Sequence, residues 1–554
     1  MKKKWWQDAV VYQIYCKSFC DTNGDGIGDI PGVISRLPIL KELGINCIWF
    51  TPLYTSPQVD NGYDVADYRD IDPAYGTLDD FKQLLQEAHK LGIRIVMDQV
   101  LNHSSDQCKW FQEAKKSRDN PYRNYYIWHD GKPDGSPPNN WGNYFFEGEG
   151  SAWEWDETTQ QYYLHYYSKH MPDLNWDYRP LREELYEMMR WWLDMGVDGF
   201  RLDVFTSLQK PEGFPDYEGE LGVNGYAQGR EQRCNVPGIH EIMREMNEQV
   251  FSRYDCMTVG EGSRVNAAIA PEYVNASRKE LDSLYHFDIA HRLPNPPTVL
   301  QYKAAQARWA KVVENNSWIA QHLSNHDYPR QVSRFGNDGQ YRKESAKLLA
   351  TLTHTHPGTP YVYQGEEIGM TNVVFDTIEE YDDPYTVCQF KAMVSAGISE
   401  EDAWAKLRPI SRDNARTPYQ WDASENAGFS TGTPWLKVNP RYPEINLEAD
   451  RKDPDSIFAY YQKLIAMRKD NPALIDGLYE VLLPEDEKVF MYLRRCTRQT
   501  LLVVANFSDD TLPLPELAQV TNHKWTQLLC NYDGDCLTSQ TLRPWEAAIY
   551  ELTE

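Results

Sequence analysis

No stretch of this sequence is both long and apolar. Nothing approaches the roughly 18 consecutive apolar residues of a membrane-spanning helix. The basic start Met-Lys-Lys-Lys is followed by residues interrupted at Gln7, Asp8 and Gln13, so the h-region of a secretory signal is missing. Positive charge is scarce too: 56 Lys and Arg stand against 82 Asp and Glu, a formal net charge of −26. That balance excludes nucleic acid and anionic membrane as natural partners and favours a neutral or locally captured small substrate. The ten cysteines include no C-x-x-C pair, which removes the common zinc and dithiol motifs and points to reduced thiols in a cytoplasmic protein. Cys16 with Cys20 and Cys530 with Cys536 are the near pairs that an exported chain would bridge. Fixed-period repeats and low-complexity tracts are absent, and the composition leaves a monomer or a dimer equally open.

Aromatic side chains are abundant. The 18 Trp and 36 Tyr supply core volume and flat faces on which sugar rings stack. At 554 residues the chain exceeds one ordinary domain unless a large barrel takes most of it.

Short apolar runs alternate with amphipathic helical patterns over most of the length, the signature of parallel β/α units. Strands are expected at 11–16, 47–53, 93–103, 199–204, 257–261, 283–288, 318–327 and 360–367. Between them, residues 79–92 align Phe81, Leu84, Leu85, Ala88 and Leu91 on one helical face, and residues 181–196 align Leu181, Leu185, Met188, Met189 and Trp192. Eight strands with this alternation predict an α/β fold, a (β/α)8 TIM barrel. The barrel is assigned to 1–103 and 177–476, with an irregular insertion at about 371–435. Residues 104–176, rich in Trp, Tyr, Asn, Gly and Pro, are too long for a plain loop and read as an inserted subdomain after strand three. Residues 477–554 carry strand patterns without helices and read as a C-terminal antiparallel β-sandwich.

In such a barrel the chemistry gathers at the C-terminal ends of the strands, the one rim where side chains from different strands meet. Strand three ends DQVLNH, strand four carries Arg201 and Asp203, strand five ends at Glu261, and strand seven ends Asn325-His326-Asp327. One strand-end Asp or His is ordinarily a loop cap; four strands ending this way point to a site with three carboxylates, Asp203, Glu261 and Asp327. A strand period of two sets Arg201 and Asp203 on one face, where the guanidinium is expected to keep the aspartate ionised. Two carboxyls held in unlike settings are the apparatus of glycosidic bond cleavage.

These motifs, DQVLNH (98–103), GFRLDVF (199–205), VGE (259–261), NHDYPR (325–330) and MPDLNWD (171–177), resemble the α-amylase superfamily, glycoside hydrolase family 13. The similarity is greatest to its oligo-1,6-glucosidase and α-glucosidase branch, and it runs over essentially the whole chain. The resemblance implies Asp203 as nucleophile, Glu261 as general acid/base and Asp327 as the third carboxylate gripping sugar hydroxyls. It implies that His103, Arg201 and His326 bind the glucosyl ring, that Asp60 and Tyr63 of DNGYD close the pocket end, and that Tyr167 and Arg416 are further contacts. An exo-acting, retaining α-glucosidase acting on short oligosaccharides follows. Val204, next to the nucleophile, is the residue type this branch associates with α-1,6 preference. DTNGDGIGD (21–29) resembles the family's structural calcium loop, with Asp21, Asn23, Asp25, the Ile27 carbonyl and Asp29 as ligands. No organic cofactor is implied.

Four departures touch the leaving-group side. Gly262-Ser263-Arg264 replaces a Met-Pro-Gly type turn, Tyr328 replaces Gln, Tyr167 replaces Phe and Met171 replaces Gln. Arg264 near the second subsite suggests a phosphate anchor, which makes trehalose-6-phosphate hydrolase the runner-up. A sucrose isomerase or glucosyltransferase follows, without its arginine-rich loop. A non-catalytic binding subunit is the reading from another class, opposed by the three carboxylates.

Overall fold

The computed structural model describes residues 3–553 apart from 145–149, 223, 228, 230, 290–292 and 295. Eight strands close into a ring: β1 (Val11–Ile14), β2 (Cys47–Phe50), β3 (Arg94–Val100), β4 (Gly199–Asp203), β5 (Met257–Gly262), β6 (Ser283–His286), β7 (Ile319–Gln321) and β8 (Thr359–Tyr363). Each pairs in parallel with its sequence neighbour, and β8 returns to β1. Parallel strands covered on both faces read as continuous apolar runs, as Cys-Ile-Trp-Phe of β2 does.

The period of two divides each strand between lumen and helix layer. Trp49, Val96, Val259, Tyr285 and Tyr361 form the lumen core, with Trp6 and Trp318 in the same cluster. Ile48, Phe50, Ile95, Met97, Phe200, Leu202 and Leu284 face the helices instead. Edge-on ring contacts of 5.5 Å join Tyr285 to Trp49 and to Tyr361, a packing that fills the barrel axis. On β4 the inward positions are Gly199, Arg201 and Asp203. A Cβ at Gly199 would lie 2.2 Å from the Met257 carbonyl oxygen, so only glycine permits the approach of β5 at that level.

The helices form because their starts are capped and one face is apolar. Helix Leu78–Lys90 opens on a reciprocal Thr77/Asp80 capping box and buries Phe81, Leu84, Leu85 and Ala88, each large side chain contributing about 1.5–3 kcal/mol. Helix Arg179–Met195 buries Leu181, Leu185, Met188, Met189 and Trp192 and stops at Gly196, whose φ of 117° suits the left-handed cap.

Within 104–176 lie helix Lys109–Ala114 and a three-stranded antiparallel sheet of Trp128–His129, Gln161–Leu164 and Trp153–Asp156. Its core draws on chain beyond the expected insertion: Tyr217 and Ala227, from the long loop after β4, pack with Trp141, Trp153 and Tyr166. The segment 371–435 folds largely as helices Pro384–Ser395 and Glu400–Leu407 around Phe375, Phe390 and Trp404.

The C-terminal region is a five-stranded antiparallel sheet of β9 (Leu478–Val481), β10 (Val489–Cys496), β11 (Gln499–Asn506), β12 (Trp525–Cys530) and β13 (Ala547–Leu552), in the order β9-β10-β11-β13-β12. The sandwich is lopsided. On one face Met491, Val504 and Tyr550 meet Leu514 and Leu542 around a two-stranded ribbon; on the other Phe490, Tyr492, Val503 and Ile549 join the main core of the barrel.

Candidate active site

The C-terminal rim of the barrel holds a cavity of about 290 Å³. Among its walls are Asp60, Tyr63, His103, Tyr167, Asp203, Val204, Glu261 and Asp327. Arg201, His326 and Arg416 sit one layer behind it, each almost wholly buried.

Arg201 organises the floor. Its Nη1 donates to Asp98 Oδ1 and Oδ2 at 2.9 and 3.0 Å and to Asp203 Oδ1 at 2.6 Å; its Nη2 lies 3.1 Å from Glu261 Oε2. The strand register explains this: Arg201 lies opposite Asp98 on β3 and opposite Val259 on β5, two residues short of Glu261. Three carboxyls thus share one guanidinium. Burial, aided by the charges of Glu261 and Asp98, raises the Asp203 carboxyl above its ordinary range, and Arg201 pulls the other way. Burial pushes Asp98 up to about 6 in the same cluster.

Chain geometry just beyond Asp203 is unusual. Val204 has φ 34° and ψ 37°, a left-handed conformation costly for a β-branched residue. It turns the Val204 N–H onto Glu261 Oε2 at 2.8 Å.

A chain of hydrogen bonds fixes the histidines. Gln13 Nε2 donates to His326 Nδ1 at 2.8 Å, so the ring proton sits on Nε2, which donates to Tyr63 Oη at 2.7 Å; the Tyr63 hydroxyl in turn donates to Asp98 Oδ2 at 3.1 Å. The Tyr63 and His326 rings are parallel, 5.5 Å apart. Burial brings His326 down to about 3, so it is neutral here. His103 is likewise lowered to about 3 by burial. It accepts from Asn102 Nδ2 at 3.2 Å and donates to the Tyr63 carbonyl at 3.2 Å, while Lys210 ties Asn102 to Asp173 from behind.

At the other end, Asp327 accepts from Arg416 Nη2 at 2.9 Å and lies 3.4 Å from Arg412 Nη1. Burial alone would raise this carboxyl, but His326, Arg412 and Arg416 together hold it well below the usual range. Arg416 also donates to the His326 carbonyl; the structure places it behind Asp327, and Arg412 is the guanidinium that lines the cavity. Arg412 joins Asp60 at 3.2 Å and Asp383 at 2.7 Å, and burial carries Asp60 up to about 6 against the pull of Arg412 and Arg416. Sequence reasoning missed Arg412 and Asp98. The signals were present: Arg412 lies one helical turn before Arg416, and Asp98 opens the DQVLNH motif.

On the outer side, Tyr144, Phe287, Tyr328, Tyr385, Cys234 and Arg264 complete the wall. Arg264, at φ 57°, lies 2.9 Å from Glu231. The 21–29 loop lies apart from the cavity. Its donor chemistry suits a hard cation, yet its oxygens engage its own N–H groups. Asp21 accepts from the N–H of Asn23, Gly24 and Gly26, Asp25 from that of Ile27 and from Asn23 Nδ2, and Asp29 caps the next helix. Among the described residues no three His, Cys, Asp or Glu groups surround one point at metal-holding distance.

The sequence pattern of the alpha-amylase catalytic domain matches residues 13–477. The chain belongs to the alpha-amylase family. This family member is 48% identical over the full length of both chains to an oligo-1,6-glucosidase of Parageobacillus thermoglucosidasius. It is 45% identical to a trehalose-6-phosphate hydrolase of Bacillus subtilis, covering 99% of this chain and 98% of that one. Among solved structures, the trehalulose synthase of Pseudomonas mesoacidophila superposes with a TM-score of 0.93 at 42% identity, covering both chains completely. A glycoside hydrolase on a (β/α)8 barrel is the assignment these likenesses and the eight-stranded ring share.

Proposed function

We propose that the chain is an exo-acting, retaining α-glucosidase that removes terminal glucose from short oligosaccharides, with preference for α-1,6 bonds. The observation that carries this reading is the joining of Asp203 and Glu261, from adjacent strands, through one buried guanidinium at the floor of a compact cavity. In the first step an Asp203 carboxylate oxygen bonds the anomeric carbon as the glycosidic C–O bond breaks, and the Glu261 proton goes to the departing oxygen. In the second step water attacks that carbon, its proton passes to Glu261, and the Asp203 ester bond opens. Arg201 engages Asp203 Oδ1, leaving Oδ2 to attack. Asp60, Asp327 and Arg412 offer charged partners to the hydroxyls of the terminal sugar, and Tyr63 a face for its ring. The names borne by the 42–49% identical relatives, oligo-1,6-glucosidases among them, support the α-1,6 preference.

The test is turnover of p-nitrophenyl α-glucoside with Asp203→Asn as control, followed by the anomeric form of the released glucose by NMR. Release of β-glucose, or no turnover by the parent chain, sinks the reading. A second reading, hydrolysis of trehalose-6-phosphate, is favoured by Arg264 at the outer wall, where phosphate would displace Glu231 from an exposed pair. Equal-concentration assays on isomaltose, maltose, sucrose and trehalose-6-phosphate separate these, and product analysis from sucrose separates hydrolysis from isomerisation.

We further propose calcium in the 21–29 loop, held by Asp21, Asn23, Asp25, the Ile27 carbonyl and Asp29. The support is five oxygen donors within nine residues, folded round Gly24 and Gly26 at φ 81° and 89°. A cytoplasmic location is proposed on cysteines that lack any C-x-x-C pairing, and no helix among the described residues is long and apolar enough to cross a membrane.

A further inference from the structure

A second cavity, also of about 290 Å³, opens beside helix Lys109–Ala114 on the far side of His103 from the catalytic pocket. Its walls combine aromatic rings, charged groups and the small apolar surfaces of Ala66, Cys108 and Met188. Tyr68 and Trp110 stack with ring centres 5.4 Å apart and planes at 16°, and Tyr122 stands beside them; Trp110 and Tyr122 are only partly buried. Facing these rings are Asp67, Arg69, Lys109 and Glu184.

The chemistry of that lining selects a ligand class. Two acids and two bases leave the cavity without net charge, so neither an anion nor a divalent cation gains from entering. The chain's overall charge of −26 further disfavours a phosphate-bearing ligand. The polar groups exclude a lipid or an apolar peptide. What remains is a neutral molecule with many hydroxyls and one apolar face, which stacks its C–H groups on an indole and bridges its hydroxyls between acid and base. The planar pair of Arg69 Nη1 and Glu184 Oε1, 3.0 Å apart, presents a donor and an acceptor side by side, the spacing that adjacent sugar hydroxyls match.

From these walls we infer that this cavity is a second, non-catalytic saccharide site that takes a glucosyl unit of an oligosaccharide, with Trp110 as its platform and Arg69 and Glu184 as its hydroxyl partners. The glucosyl identity rests on the function proposed above; the saccharide class rests on the lining. The site abuts the catalytic one through a single residue: Tyr68, whose ring backs Trp110, donates its hydroxyl to the His103 carbonyl at 2.8 Å. The inference is of binding alone.

The test uses the full chain with its catalytic pocket blocked by a cyclitol epoxide that alkylates Asp203. Isomaltotriose is then titrated and followed by saturation-transfer NMR. The expected result is saturable millimolar binding by the blocked enzyme, weakened at least tenfold by Trp110→Ala. Unblocked Trp110→Ala should turn over p-nitrophenyl α-glucoside within about twofold of the parent. Arg69→Gln is the second variant, which keeps the aromatic platform and should weaken binding while leaving that turnover alone. Absence of saturable binding in the blocked parent, or equal binding by both variants and parent, overturns the inference. Failure of the underlying function reads differently: no turnover and no epoxide adduct on Asp203.

Discussion

The N–H of Val204 donates to Glu261 Oε2 at 2.8 Å from a left-handed backbone. The residue that follows Asp203 thereby also orients Glu261, and it lines the cavity. A change at Val204 acts on both groups at once. Val204→Thr exchanges a methyl for a hydroxyl with little change in shape. Taking the α-1,6 preference as given, the ratio of kcat/KM for isomaltose over maltose should fall by about tenfold or more, the scale on which single methyl-sized contacts discriminate. An unchanged ratio across the two disaccharides would remove Val204 from the specificity argument.

Glu261→Gln separates the acid role from the base role. Loss of a positioned general acid costs about 10²–10⁴ in rate for a leaving group that needs a proton. Isomaltose turnover should drop by that amount. The first step with p-nitrophenyl α-glucoside should suffer far less, because nitrophenolate leaves unprotonated. Azide should restore the second step of that variant and yield an α-glucosyl azide. Equal losses on both substrates, with no azide product, would point away from Glu261.

Arg201 is the counter-ion of three buried carboxyls. Arg201→Met leaves Asp98, Asp203 and Glu261 facing one another in a buried floor. Removing one partner of a buried ion cluster typically costs about 3–5 kcal/mol. Denaturant unfolding should show a loss on that scale together with abolished activity. A variant of parental stability would mean that the cluster binds protons freely enough to need no cation.

Burial keeps His356 neutral, lowered to about 3, where it stacks on Tyr492 with ring centres 4.8 Å apart. The unfolded chain protonates this group below about 6.5 and the folded chain does not. Between pH 6.5 and 3 the unfolded state therefore binds more protons, and the folded state loses stability as pH falls. His356→Phe removes that linkage. The stability advantage of the parent over the variant should shrink as pH is lowered from 7 to 4, by up to about 1.4 kcal/mol per unit. A difference that stays constant over that range would contradict a buried neutral histidine.

Calcium in the 21–29 loop would stabilise the fold by mass action, about 2.7 kcal/mol at a free concentration of 100 times Kd. Millimolar calcium should raise Tm over the value in chelator, and Asp21→Asn should abolish the rise. A Tm indifferent to both would leave the loop as a polar turn that its own N–H groups satisfy.

Much of this was readable before any coordinates, for physical reasons. Eight apolar runs at β/α spacing could hardly bury themselves other than in a ring, and a period of two placed Arg201 and Asp203 on the inner face. What escaped reading depended on long-range packing. Tyr217 joins Trp141 at 4.7 Å across a loop, a contact that no local periodicity encodes. Arg412 and Arg416 share a short helix and differ only in which one the fold turns toward the cavity. The upward shift of Asp203 depends on Asp98 as well, because a shared guanidinium neutralises each carboxyl less than a private one.

The walls of the cavity come from residues 60, 103, 203, 261, 327 and 412, so their supply is spread across nearly two thirds of the 554-residue polypeptide. A nascent chain shorter than 412 residues lacks at least one of these walls. A ribosome that has delivered the first 300 residues has made Asp203 and Glu261 without the far wall. Catalysis should therefore emerge abruptly, late in translation, sparing the cell a half-built hydrolase loose among its sugars.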